Sequence, residues 1–209
     1  MKPIFITGTG TGVGKTLVAA IVTEALKADY WKPVQAGFEE GTDSLWVTKM
    51  LTNKKSVIHP ELYKFAMAAS PHLAAIAEQK KIVIKDIVHH LPQTKNQLII
   101  EGAGGLMVPL NKKEFVCTLI KKLKARVIIV SKNELGSINH SLLTAAVLRK
   151  EKIDVAGWIF NDDYLNYENE IARWTGYPVM ASVKHLSEIS KVSIGMEAKK
   201  IRRSLKYFL

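Results

Sequence analysis

The segment Gly8–Thr16, with the sequence GTGTGVGKT, is the strongest constraint on what this chain can fold into. It follows a short apolar strand, Pro3–Ile6, and leads into a helix that begins near Lys15. In such a loop the backbone N–H groups point inward and the helix N-terminus adds partial positive charge, so the loop can bind phosphate. We predict that Lys15 reaches the β- and γ-phosphates of a nucleotide and that the Thr16 hydroxyl takes a place on Mg²⁺.

The loop is one residue longer than the usual pattern G-x-x-x-x-G-K-[ST], because Thr9 stands where that pattern has glycine. A glycine-rich turn that binds no nucleotide is the alternative. The placement of Gly-Lys-Thr directly after a strand favours a nucleoside triphosphate site.

Composition predicts one cytoplasmic domain spanning residues 1–209. The single cysteine, Cys117, cannot form an intrachain disulfide, which favours a reducing compartment. No apolar run approaches the roughly 18 residues that span a bilayer, so no membrane partner is expected. The net charge of +11 raises the question of nucleic acid, but the basic residues are scattered and form no patch interleaved with aromatic residues. We therefore expect no nucleic-acid partner and assign the positive field to the attraction of anionic substrates.

Strands alternate with helices along the whole chain. Several strands are almost wholly apolar, such as Arg126–Val130 after its first residue, which is typical of strands buried on both faces. We predict an α/β, P-loop NTPase-like, three-layer fold with a mostly parallel sheet and helices on both faces. The predicted strands are 3–6, 30–35, 97–101, 126–130, 155–160 and 178–180, and the predicted helices are 17–28, 44–51, 71–80, 84–91, 115–123, 137–150, 167–175 and 197–207.

Ligands of such folds bind beyond the carboxyl ends of the strands, and several polar residues stand there. Glu101 ends an apolar strand and precedes a run of small residues, as expected of an acidic metal ligand in a nucleotide site. Asp43 follows the second strand and is either a second metal ligand or a plain helix N-cap. Lys32 is either a cation that binds a developing anion or an edge lysine whose stem lies on apolar surface.

Two further positions have both a functional and a structural interpretation. Ser137, Ile138 and Asn139 begin a helix whose free N–H groups could hold a carboxylate, although Ser137 also suits an ordinary cap. Asn161 ends a strand and could hydrogen-bond a nucleotide base, although an asparagine in a turn is as good an account.

Taken together, these motifs resemble the dethiobiotin synthetase family, and the resemblance extends through about Pro178. The motifs that carry it are GTGTGVGKT, WKPVQAG (31–37), the helix at Asp43, ASPH (69–72), EGAGGLMVPL (101–110), LGSINH (135–140) and AGWIFND (156–162). The family uses ATP and Mg²⁺ to carboxylate 7,8-diaminononanoate with CO₂ or bicarbonate. It then closes a ureido ring through a carbamate and a carbamic-phosphoric mixed anhydride, in a homodimer.

The resemblance implies a role for each matching residue. The catalytic residues would be Lys32, Lys15 and Thr11, and the Mg²⁺ ligands Thr16, Asp43 and Glu101. The nucleotide would be bound by Gly12, Val13, Gly14, Lys15, Thr16, Leu17, Glu101, Gly102, Ala103, Gly104 and Asn161. The diamine substrate would be bound by Thr11, Lys32, Ser137, Ile138, Asn139 and Tyr167, with Tyr167 reaching across a dimer.

Three positions depart from the family's pattern. Ala36 stands where a hydroxyl is usual, and Gly12 replaces a glutamate seen in some relatives. Residues 180–184 replace the usual Gly-x-x-Pro stretch of the base pocket, which leaves the choice of base open.

Two other functions also fit a phosphate-binding loop. The first is a regulatory P-loop ATPase of the partitioning or metal-insertion kind, but the partitioning type usually carries an additional lysine early in its loop, which Gly8-Thr9-Gly10 lacks. The second is a glutamine-dependent amidotransferase domain, which would need an attached glutaminase that 209 residues cannot hold.

Overall fold

The computed structural model describes residues 1–209, which form nine strands and eight helices. The strands are β1 (Ile4–Gly8), β2 (Asp29–Trp31), β3 (Val34–Ala36), β4 (Ile58–His59), β5 (Tyr63–Phe65), β6 (Leu98–Gly105), β7 (Arg126–Lys132), β8 (Val155–Asn161) and β9 (Val179–Val183). The helices are α1 (Lys15–Leu26), α2 (Asp43–Met50), α3 (Pro71–Ala77), α4 (Ile84–His89), α5 (Val116–Leu123), α6 (Ser137–Lys150), α7 (Glu168–Thr175) and α8 (Lys191–Phe208).

Seven strands form one parallel sheet in the order β4-β2-β6-β1-β7-β8-β9. β1 lies at its centre, with Ile4 opposite Ile99 of β6 and Arg126 of β7. Successive β1 side chains alternate between two apolar clusters, since Phe5 packs on one face while Ile4 and Ile6 pack on the other. This arrangement confirms the predicted parallel sheet with helices on both faces.

Each face of the sheet is covered by its own set of helices. One apolar cluster contains buried residues of α3, α4, α5, α6 and α7. The other is built from α1, α2 and α8, and α1 contributes the largest share with six buried apolar residues, Val18, Ala19, Ala20, Ile21, Val22 and Ala25. Because α1 directly follows the phosphate-binding loop, its burial fixes the position of that loop at the carboxyl edge of the sheet.

The predicted strand over residues 30–35 is wrong, because Pro33 divides it in two. Proline has no N–H to donate to a strand ladder. Instead, the Pro33 carbonyl accepts hydrogen bonds from Leu62 and Tyr63, and the chain leaves the main sheet after β2. β3 then pairs in parallel with β5 in a separate two-stranded sheet, and neither β4 nor β5 was predicted from the sequence. Lys32 therefore lies at the junction of two sheets.

Two other predicted boundaries differ from the structure by four or more residues. The last helix was predicted to begin at Glu197 but begins at Lys191. Ser190 caps it by accepting from the backbone N–H of Ser193, at 3.3 Å, while the Ser193 side chain accepts from the backbone N–H of Ser190. β6 was predicted to end at Glu101 but continues to Gly105. None of the helices, α8 included, combines the length and apolar character that a membrane crossing requires.

A pair of glycine substitutions tests the packing of the sheet. A Cβ built on Gly157 of β8 would lie 2.4 Å from the carbonyl oxygen of Pro178. Because backbone must shift to relieve that contact, we expect Gly157→Ala to lower the free energy of unfolding by about 1–3 kcal/mol in urea titrations. Gly195→Ala is the control, since its Cβ would meet nothing within 4 Å and α8 would gain roughly 0.5–1 kcal/mol. Equal stability of the two variants would contradict this packing.

Candidate functional site

The phosphate-binding loop has the backbone conformation that its glycines permit. Gly12 and Gly14 have φ values of 76° and 91°, in the left-handed region that disfavours side chains. Gly14 is also the N-cap of α1, and its added Cβ would lie 2.3 Å from Asn161 Nδ2. The loop therefore places free backbone N–H groups and the positive end of α1 beside one another, as an anion site requires.

Lys15 is a buried ammonium group in the loop. Its Nζ donates to the Gly10 carbonyl at 2.7 Å. Burial lowers the pKa of Lys15 to about 8, with nearby Lys32 acting in the same direction and the carboxylates of Glu101 and Asp43 opposing it. Without a bound anion, Lys15 therefore begins to lose its charge only slightly above neutral pH.

Lys32, by contrast, has two acidic partners. Its Nζ lies 2.8 Å from Glu101 Oε1 and also pairs with the Asp43 carboxylate. Burial alone lowers the pKa of Lys32, but the charges of Glu101 and Asp43 outweigh burial, so the net pKa is raised. The Lys32 side chain is thus a fixed cation beside the loop, not an edge lysine in solvent.

Glu101 is almost completely buried, with 1% of its surface exposed. Its Oε1 accepts from the Thr16 hydroxyl and from Lys32 Nζ, each at 2.8 Å. Its Oε2 accepts from the Tyr30 hydroxyl, also at 2.8 Å. Burial and the charge of Glu101 raise the pKa of Tyr30 well above its usual value, so this hydroxyl keeps its proton as a donor.

Asp43 is held at the start of α2 with its carboxylate free to face the site. The N-cap is Thr42, whose Oγ1 accepts from the Leu45 backbone N–H at 3.2 Å, so the interpretation of Asp43 as the cap is wrong. The Asp43 backbone N–H donates to Gln35 Oε1 at 3.2 Å, and Gln35 Nε2 donates to the Gly37 carbonyl at 2.7 Å. Gln35 therefore ties the end of β3 to the start of α2.

These groups line one cavity of about 700 Å³ at the carboxyl edge of the sheet. Its walls are the loop, the junction of β2 and β3, the end of β6, and residues 68–71. Two carboxylates and the Thr16 hydroxyl converge there, and all three offer hard oxygen donors. Mg²⁺ commonly takes one or two carboxylates and leaves its other positions to water and phosphate, so this donor set fits Mg²⁺.

Most of the sequence-predicted residues lie in this cavity. Those that line it are Thr11, Gly12, Gly14, Lys15, Thr16, Lys32, Asp43, Glu101, Ala103 and Gly104. Val13 and Leu17 flank the lining residues in sequence, and their side chains pack in or against the apolar cluster built from α1, α2 and α8. The Val13 carbonyl accepts from Asn161 Nδ2 at 3.2 Å. Gly102 faces away, since its Cβ would lie 2.6 Å from the ring of Phe5.

The predicted substrate-binding residues at the start of α6 do not line the cavity. The Ser137 hydroxyl lies 2.7 Å from the Tyr167 hydroxyl, which also donates to the Glu134 carbonyl at 2.6 Å. Tyr167 thus contacts this helix start within one chain. Ser137 is buried, Ile138 is half-buried and Asn139 is exposed.

Sequence reasoning missed three parts of the site: Tyr30, Gln35 and the wall at residues 68–71. One available signal was spacing, since Tyr30 and Lys32 are two residues apart and extended backbone places such residues on one face. The ASPH motif at 69–72 is visible in the sequence, but its residue types alone indicate no role in the site.

The pKa of Lys15 gives a prediction for nucleotide binding in metal-free buffer. Phosphate binding favours the charged lysine, so above pH 8 the free protein must take up a proton to bind ADP. We expect the dissociation constant of ADP, measured by calorimetry with EDTA, to rise toward tenfold per pH unit above about pH 8 and to be flat between pH 7 and 7.5. Lys15→Arg, which keeps its charge, is the control and should show no such rise. A flat profile in the natural protein would contradict the role of Lys15.

The chain is similar to known proteins both in family and in fold. Residues 2–193 match a family model described as an AAA domain. Among solved structures, the cell-division ATPase MinD of Pyrococcus furiosus is similar with a TM-score of 0.66 and 13% identity, covering all of both chains. A ParA family ATPase from Chlorobium tepidum has a TM-score of 0.58 and 13% identity over 99% of this chain and 93% of that one. At these identities the likeness concerns the P-loop fold alone.

Several dethiobiotin synthetases are much more similar to this chain in sequence. The ATP-dependent dethiobiotin synthetase of Cytophaga hutchinsonii is 50% identical over 204 residues, covering 96% of this chain and 97% of the relative. That of Christiangramia forsetii is 45% identical over 205 residues, covering 98% of each. That of Paramagnetospirillum magneticum is 35% identical over 195 residues, covering 93% of each. The chain therefore belongs to the dethiobiotin synthetase family.

Proposed function

We propose that this chain is an ATP-dependent cyclo-ligase that makes dethiobiotin from 7,8-diaminononanoate and CO₂ in biotin biosynthesis. Its relatives bear the name of that activity. The observation that carries the proposal is a second buried lysine, Lys32, which faces the same cavity as Lys15 of the phosphate loop. A reaction that joins an anion to the γ-phosphate needs positive charge near both reactants, and two lysines in one cavity can supply it.

In this proposal the triphosphate lies along residues 12–17, where the loop N–H groups and the α1 dipole meet its charge. Lys15 contacts the β- and γ-phosphates. Thr16, Asp43 and Glu101 hold Mg²⁺, which supplies charge neutralisation at the phosphates when bound. Ala103 and Gly104 line the same cavity as Thr11 and would contact the nucleotide there, and Asn161 would contact its base.

The proposed reaction has three steps. One amine of the substrate adds to CO₂ and loses a proton, which gives a carbamate anion. A carbamate oxygen then attacks the γ-phosphorus and ADP leaves, which gives a carbamic-phosphoric mixed anhydride. The second amine attacks the carbamoyl carbon, phosphate leaves with the C–O bond electrons, and the loss of a proton completes the ureido ring.

The chain's own residues serve these steps by positioning and by charge. Lys32 and Thr11 hold the carbamate next to the γ-phosphate, and Lys15 stabilises the negative charge on the transferring phosphoryl group. Burial of both lysines strengthens these interactions, because little water remains to screen them. The positive field of the chain, with a net charge of +11, attracts the anionic reactants.

We further propose that the enzyme is a cytoplasmic homodimer. The start of α6, at Ser137, Ile138 and Asn139, would bind the substrate carboxylate through the N–H groups of Ile138 and Asn139, because the Ser137 N–H already donates to the Glu134 carbonyl. Since it lies outside the cavity of its own chain, a second subunit would bring its α6 start to the far end of the substrate. Tyr167 supports that helix start through its hydrogen bond with Ser137.

Phosphate release tests the function directly. Purified protein with Mg²⁺ and ATP should release phosphate only when both 7,8-diaminononanoate and bicarbonate are present, and it should form dethiobiotin in equal amount by mass spectrometry. Phosphate release that is independent of the diamine would indicate an ATPase without ligase activity and would contradict the proposal.

Lys32→Ala separates nucleotide binding from turnover. We expect kcat to fall by at least about 100-fold because the carbamate loses its cation, while the dissociation constant of ADP stays within about threefold. Lys121→Ala is the matched control, because Lys121 pairs with Glu151 on the exposed surface, and it should keep full activity.

Lys32→Ala also leaves the carboxylates of Asp43 and Glu101 without their shared cation, so circular dichroism must first confirm that the variant is folded. Near-normal kcat in the folded variant would contradict the assigned role of Lys32.

A further inference from the structure

Tyr30 is a buried tyrosine of β2 that does not line the cavity. Its surface is 0% exposed, and its ring packs in the apolar cluster beneath α1. Its hydroxyl donates to Glu101 Oε2 at 2.8 Å, across 71 residues of sequence. A buried tyrosine hydroxyl generally finds some partner, so the bond alone would be ordinary. This hydrogen bond is unusual because its acceptor, Glu101, is a proposed metal ligand.

The two oxygens of Glu101 have different surroundings. Oε1 accepts from Thr16 and Lys32, both of which line the cavity. Oε2 accepts only from Tyr30. The last torsion of a glutamate side chain has a broad energy profile, so a carboxylate held through one oxygen can still rotate. The bond from Tyr30 to the second oxygen removes that freedom.

We propose that Tyr30 is a positioning residue for the reaction: its hydroxyl fixes the plane of the Glu101 carboxylate so that Oε1 faces Thr16 and the metal. This inference rests on the proposed function, because it takes Glu101 to be a Mg²⁺ ligand. Residues that orient metal ligands from behind typically change metal affinity by 10- to 100-fold when they are removed.

Strand pairing explains how the hydroxyl is placed. β2 pairs in parallel with β6, with Tyr30 opposite Ile99 and Trp31 opposite Ile100. This register holds Tyr30 two residues behind Glu101 on the neighbouring strand. Lys32, two residues beyond Tyr30, meets the same carboxylate from the cavity side. The segment 30–32 therefore contacts both oxygens of Glu101, with Tyr30 donating to Oε2 and Lys32 to Oε1.

Tyr30→Phe tests this role, because it removes the hydroxyl and keeps the ring. Tyr63→Phe is the matched control: the Tyr63 hydroxyl accepts from the Val83 backbone N–H at 3.1 Å and makes no bond to Glu101. Mn²⁺ serves as the metal probe, followed by electron paramagnetic resonance with ADP bound. We expect the dissociation constant of Mn²⁺ to rise about tenfold in Tyr30→Phe and less than twofold in Tyr63→Phe.

Two further readouts separate positioning from a loss of stability. The ADP affinity without metal should be unchanged in Tyr30→Phe, whereas the Mg²⁺ concentration for half-maximal activity should rise. In a Glu101→Gln background, adding Tyr30→Phe should weaken Mn²⁺ binding by less than twofold, because the carboxylate that Tyr30 orients is already gone.

The outcomes are distinguishable. Unchanged Mn²⁺ affinity in Tyr30→Phe would overturn the inference and leave the proposed metal site standing. The same loss in the Glu101→Gln background as in the natural one would also overturn it, since the effect would not pass through the carboxylate. Absence of Mn²⁺ binding to the natural protein with ADP would overturn the metal assignment and this inference with it.

Discussion

The buried carboxylate of Glu101 is the interaction on which the arrangement of the site depends. An ionised group so far from water is costly unless it is paired and hydrogen-bonded. Three donors meet it here: Thr16 from α1, Tyr30 from β2, and Lys32 from the junction of the two sheets. The same contacts that make the charge tolerable fix the phosphate loop against the central sheet. The positions of Thr16 and Lys32 in the cavity therefore both depend on this one cluster.

The buried charges of the cavity are tolerated because cations and carboxylates balance one another. Lys15 and Lys32 face Asp43 and Glu101, so two cations meet two carboxylates before any nucleotide binds. The balance is unequal, because Lys32 is directly paired while Lys15 contacts only a backbone carbonyl. A phosphate entering beside Lys15 therefore meets a cation with no carboxylate partner, whereas an anion approaching Lys32 must share it with two carboxylates.

Much of the fold and site could be predicted from the sequence, because the strongest signals are local. The glycine loop and the apolar strands indicated a parallel sheet, and the rule that ligands bind at strand ends brought Lys32 and Glu101 together. Errors arose where two local choices were equally good, as with Thr42 and Asp43 for the cap of α2. Others needed distant partners: the division at Pro33 depends on Leu62 and Tyr63, and the acceptor of Tyr30 is 71 residues away.

The central claim is that the phosphate loop, both carboxylates and Lys32 form one metal and nucleotide site. A crystal structure with Mg²⁺ and ADP tests it most directly. We expect the metal at about 2.0–2.1 Å from the Thr16 hydroxyl, with Asp43 and Glu101 as direct or water-bridged ligands and the β-phosphate on the loop amides. A metal bound away from Glu101, or a nucleotide outside this cavity, would contradict the account.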